Sequence, residues 1–212
     1  MTTHYAQSAT SISGDLISHV ESLHRTASEW TSRGPAGLAP LAIPAYIVAV
    51  AAVEAYLNET YSYYFRLPGE DEEVISADAL EKLELGLKLI LLPYLLFGKK
   101  LSKSQQPYQD MDLLIKLRNE LVHYKMSGKP PKPVKSLAQR GIIKRVPPEQ
   151  EQAGGPHAWA DRISTLEGIR WANNTAAATV HALAALAPSD KAKAFTSLAS
   201  NFRTIPLAAR GK

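Results

Sequence analysis

Along most of the chain apolar residues recur at intervals of three and four, the spacing that aligns one face of an α-helix. No segment alternates with the period of two that a half-buried strand requires. Between Ser13 and Thr31, Leu16, Ile17, Val20, Leu23 and Ala27 predict an amphipathic helix, broken by Arg33-Gly34-Pro35-Ala36-Gly37. A second helix is expected from Ile43 to Phe65, with Pro44 in the first turn, where its missing N–H would have no partner anyway. Ala45, Ala49 and Ala52 would let neighbours approach it, while Glu54, Asn58 and Glu59 add polar positions. Asp78 and Glu81 read as a capping box opening a third helix that carries Ala79, Leu80, Leu83, Leu87, Ile90 and Leu91 and ends or kinks near Pro93. A fourth, from Tyr108 to Tyr124, has Met111, Leu114, Ile115, Leu117, Leu121 and Val122 as its apolar side.

The pattern then changes. Pro130, Pro131, Pro133, Pro147, Pro148 and Gly154-Gly155 predict a long loop excursion, and Lys129, Lys132, Lys135, Arg140, Lys144 and Arg145 make it basic. Helix resumes over Ala158 to Leu186, with Ser164 and Glu167 marking an inner start, and a last helix is expected over roughly 190–203. The expectation is one all-α domain spanning 1–212: a core bundle over about 13–126 and 158–203, with 127–157 as a loop excursion.

Composition narrows the class. At 45% hydrophobic and 21% charged residues the chain has the balance of a globular protein. The absence of cysteine excludes disulfides, thiolate nucleophiles and Cys-based metal sites, and fits a reducing, cytoplasmic setting. From Met1 to Leu16 there is no charged region followed by an apolar one, so no signal peptide is expected. Leu41–Val53 and Leu83–Phe97 are strongly apolar, but Pro44 and Glu54 interrupt the first and Glu84, Lys88 and Pro93 the second. Neither reaches the ~18 clean residues of a membrane span. Buried core helices are expected, with no membrane association. The net charge of +4 permits a polyanionic partner without requiring one.

One cluster carries distinctive chemistry: Leu117-Arg118-Asn119-Glu120-Leu121-Val122-His123-Tyr124. At ~100° per residue, His123 lies about 40° from Asn119 and about 140° from Arg118, so amide and imidazole share a face that the guanidinium flanks. Arginine offers a forked donor to phosphate, histidine exchanges protons near neutrality, and asparagine can hold a tautomer or a phosphate oxygen. Together they could promote attack of an RNA 2′-hydroxyl on the adjacent phosphate. By spacing alone, surface roles at a helix C-terminus explain the same residues, since the helix dipole favours histidine there. Glu54 could pair with Arg118 and orient it, or it could simply face solvent or cap a polar network in the core. Tyr61, Tyr63 and Tyr64 could stack bases or fill a core. His4, His19, His24, His157 and His181 show no ligand spacing beyond the loose His19/His24 pair, so no metal and no cofactor are expected.

The string from Leu117 to His123 resembles the signature of the HEPN superfamily (higher eukaryotes and prokaryotes nucleotide-binding domains): Arg, four to six residues, then His, often with a polar residue directly after the Arg. Ala51-Ala52-Val53-Glu54-Ala55-Tyr56-Leu57-Asn58-Glu59 is similar to an early helix of many bacterial members. The resemblance spans about residues 40–126 and, loosely, the helix after Trp159. It implies a HEPN-like bundle of four to six helices, a homodimer whose Arg–His pairs meet across the two-fold, and metal-independent endoribonuclease activity in a toxin–antitoxin or anti-phage setting. Arg118 would then bind phosphate, His123 act as acid and base, and Asn119 assist, with Glu54 and Tyr124 supporting. RNA and an antitoxin protein would be the partners. A non-catalytic module binding nucleic acid or protein is the alternative. Members silenced by a nucleotidyltransferase antitoxin often carry a Tyr two residues after the His; here Lys125 holds that place and Tyr124 precedes it.

Overall fold

Small side chains at Ala42, Ala45, Ala49 and Ala52, all wholly buried, let other helices close on the long helix Ala39–Phe65 from several sides. A computed structural model describes residues 11–32, 38–65, 79, 82–123, 130–143, 158–189 and 192–207. The helices are α1 (Ile12–Ser32), α2 (Ala39–Phe65), α3 (Leu85–Phe97), α4 (Tyr108–Val122), α5 (Lys132–Gln139), α6 (Ala158–Ile163), α7 (Leu166–Ala184) and α8 (Ala192–Ala199). No strand occurs among the described residues, so the fold class is all-α, as the periodicity predicts.

Helix α2 is the axis of the molecule, packing against α1, α3, α4, α6, α7 and α8. Its buried Tyr46, Val50, Val53, Tyr56 and Leu57 join Ile17 and Val20 of α1, Leu89 and Leu92 of α3, Met111, Leu114 and Leu117 of α4, and Ile169, Ala176 and Val180 of α7 in one core. Each fully buried aliphatic or aromatic side chain contributes roughly 1.5–3 kcal/mol. The Glu59 carboxylate on α2 tethers the start of α1: it accepts from Ser11 Oγ at 2.9 Å, Ser13 Oγ at 2.6 Å and the Ser13 N–H at 3.1 Å. An acid at a helix N-terminus also complements the dipole there.

Several boundaries differ from expectation. Helix α2 begins at Ala39 rather than Ile43, which makes Pro44 internal. The carbonyl that Pro44 cannot bond is that of exposed Pro40, where water replaces the lost donor at little cost. Over Ala39–Thr60 this helix is, contrary to the sequence reading, long and apolar enough to cross a membrane; half of the stretch is buried against the protein's own helices. Helix α3 starts only at Leu85, after a non-helical break at 82–84, with extended Glu84 as its N-cap; the expected capping box of Asp78 and Glu81 lies outside the described residues. It also runs through Pro93, which is itself buried, and stops at Gly98. There a left-handed φ of 65° lets the glycine N–H reach Tyr94 O at 2.8 Å.

The expected excursion over 127–157 contains a folded element. Pro131 caps α5 and Pro133 occupies its first turn, so prolines that read as breakers act as helix starters. Pro133, Val134, Leu137, Ala138 and Ile143 are buried, α5 packs on α4, and Arg140 pairs with Asp110 of α4. The helix expected from Ala158 to Leu186 divides into α6 and α7. Thr165, not Ser164, caps the second piece by accepting the Gly168 N–H at 3.0 Å. The last helix ends at Ala199, and residues 202–207 continue without regular structure.

Candidate functional site

The C-terminal half of α4 presents two faces. Leu114 and Leu117 are wholly buried, while Asp112, Ile115, Lys116, Arg118, Asn119 and His123 border an open cleft of about 550 Å³. Glu54 of α2 and the turn into α3, Leu83 to Gly86, complete its wall. The three residues of the sequence cluster therefore meet in one hollow.

Their settings differ. His123 is the C-cap of α4, with φ −102° and ψ 39°, and its N–H bonds the Asn119 carbonyl at 2.9 Å. Its ring and the Asn119 side chain are exposed. Arg118 is half-buried, and its Nε is shielded from solvent without a hydrogen-bond partner. A buried donor left unmade costs about 1–3 kcal/mol, so an acceptor oxygen reaching this guanidinium would recover that loss.

Glu54 lines the cleft, but it does not pair with Arg118. Its Oε1 accepts instead from Lys88 Nζ at 2.8 Å, and Lys88 also donates to Asn58 Oδ1 at 3.2 Å. The Lys88 side chain is 1% exposed and that of Glu54 34%. This ammonium, set behind the cleft wall, is the residue the sequence reading missed. Its signal was a lone cation in the apolar run Leu85–Phe97, matched by Glu54 and Asn58 four residues apart on another helix. The Asp112 and Lys116 side chains pair with each other along α4. Among the described residues, Arg118 and Glu84 are then the charged side chains of the cleft that have no ion-pair partner.

Tyr124 and the side chains of Tyr61, Tyr63 and Tyr64 lie outside the described residues, as do His4 and His157. Among the described residues no group of three or more His, Asp or Glu is placed to hold a metal ion. Compared with family models, curated proteins and solved structures, the chain matches none.

Proposed function

We propose that the α4 cleft is the half-site of a metal-independent endoribonuclease of HEPN type, acting as a homodimer. The observation that carries this reading is the buried, unpartnered Arg118 Nε beside exposed Asn119 and His123 in one open cleft. In this chemistry the 2′-oxygen bonds to phosphorus as the bond to the 5′-oxygen breaks, leaving a 2′,3′-cyclic phosphate and a 5′-hydroxyl. One proton leaves the 2′-oxygen and another reaches the 5′-oxygen; a neutral imidazole can take the first and a protonated one deliver the second. His123 of each copy would fill one role, and Arg118 would neutralise charge building on the phosphoryl oxygens. Leu87 of α3, 52% exposed, and Val122 of α4, 51% exposed, adjoin residues of the cleft and offer apolar surface for a second copy. A cytoplasmic toxin or anti-phage role, with an antitoxin protein covering the same cleft, belongs to this proposal.

The test is RNA cleavage by the purified protein in EDTA across a varied substrate panel. The His123→Ala and Arg118→Ala variants should each lose about 100-fold or more of the rate. Intact RNA with the wild type removes the enzyme reading, and equal cutting by both variants removes the site. Binding without cleavage would favour the second reading, a non-catalytic module for nucleic acid or protein. The exposed apolar side chains beside the cleft and the Glu84 carboxylate on its wall speak for that module.

A further inference from the structure

After α8 the chain turns at Ser200 and Asn201 and then lies along α7 without regular structure. What holds the segment is mostly its own main chain. His181 Nε2 lies 2.8 Å from Phe202 O, and Asn173 Nδ2 donates to Arg203 O at 2.7 Å. Asn174 makes a complete amide pair with Ile205, donating to its carbonyl at 2.9 Å and accepting its N–H at 2.7 Å. Of the side chains in the segment, Phe202 is buried edge-on against Tyr56 at a ring separation of 5.9 Å, and Ile205 is half-buried. Arg203, Thr204 and Pro206 point outward and are exposed.

The two asparagines are not equally satisfied. The carbonyls of Arg203 and Ile205, two residues apart, both meet the edge of α7 that carries Asn173 and Asn174. Asn174 uses donor and acceptor on that edge; Asn173 uses only its donor. Asn173 is wholly buried, and its Oδ1 has no partner. A side-chain amide sealed in this way ordinarily has both ends bonded. The groove is thus built to read a peptide backbone, and the chain's own tail fills it one hydrogen bond short.

We propose that the Asn173–Asn174–His181 row of α7 is a backbone-reading peptide site. The C-terminal segment occupies it in cis, and an extended peptide from a partner protein can take it in trans. The recognised peptide carries apolar side chains three residues apart, in the places of Phe202 and Ile205, and its main chain bonds Asn173 Oδ1 as well as the amide of Asn174. Residues between and beyond the two apolar positions are free to vary because nothing on α7 reads them. This is recognition by main-chain hydrogen bonds with pockets for a few side chains, the logic of strand addition applied to a helix face.

The test uses the full chain and a synthetic peptide with the sequence of residues 200–207 as probe. Hydrogen exchange at the Ile205 amide, protected through Asn174 Oδ1, reads release of the tail. Saturating peptide should speed that exchange on the order of tenfold, the scale of the few hydrogen bonds released. Asn174→Leu should speed Ile205 exchange without peptide and abolish the peptide's effect. Arg203→Ala, which alters only an outward side chain, should leave both unchanged and serves as the variant that keeps the groove intact. An Ile205 amide that exchanges only with global unfolding and ignores the peptide, in wild type and Arg203→Ala alike, overturns the proposal.

Discussion

Gly168 sits in the first turn of α7, where an added Cβ would collide with the buried Tyr46 hydroxyl and lie 2.9 Å from the Ile163 carbonyl. Those two atoms are already joined by a 2.7 Å hydrogen bond. Gly168→Ala must displace Tyr46 or α6, and should lower stability by about 2–4 kcal/mol in urea denaturation. Gly86, in the first turn of α3, has nothing within 4 Å of such a Cβ. Gly86→Ala should therefore raise stability, by up to about 0.5–1 kcal/mol through helix propensity. The Lys88–Glu54 pair gives a second contrast. Glu54→Leu strips a wholly buried ammonium of its carboxylate and should cost about 3–5 kcal/mol. Lys88→Met leaves a carboxylate that already reaches the cleft, and denaturation should show a clearly smaller loss. The α4 cluster was legible at this scale because helical geometry alone relates Arg118, Asn119 and His123. The partner of Glu54 was not, because Lys88 lies 34 residues away and only the packing of α3 on α2 brings them together.

At the scale of elements, the junction of α1 with α7 should respond to acid. His24 is half-buried, and its imidazole is held below the ordinary value of 6.5, chiefly by burial and further by Arg170, with Glu167 acting in the opposite sense. The unfolded chain therefore takes up this proton at a higher pH than the folded one. Its contribution to stability is level above the ordinary imidazole range and is lost as pH falls through 6.5 toward the lowered value. Urea midpoints measured between about pH 7.5 and pH 5 should fall on acidification, and His24→Gln should flatten that part of the slope. The helices with clear three-and-four spacing were legible from the sequence to within a few residues, α1 and α4 best of all. Helix α5 was hidden because its prolines at 131 and 133 look like interruptions until the burial of Val134 and Leu137 against α4 is seen. The divided helix at Thr165 was half legible: a capping signal stood in the right place, one residue early.

For the whole molecule, the proposed composite site requires two copies. Light scattering at micromolar protein should give a dimer mass, and Leu87→Glu with Val122→Glu should shift it toward monomer while leaving the helical signal intact; an unchanged monomer mass in the wild type ends the dimer argument. The all-α class was legible from periodicity because helical spacing dominates the chain. The tail on α7 was not, since nothing in the local spacing of residues 200–207 announces that Asn173, Asn174 and His181 wait for it.

Among the described helices α2 packs on α1, α3, α4, α6, α7 and α8, and α5 is joined to it through α4. With these helices packed on one shaft, pulling any of them away uncovers apolar surface of α2, so the bundled helices hold or fail together. Melting should accordingly proceed in a single step, with tryptophan fluorescence and the backbone ellipticity of the long helices tracing one superimposable curve.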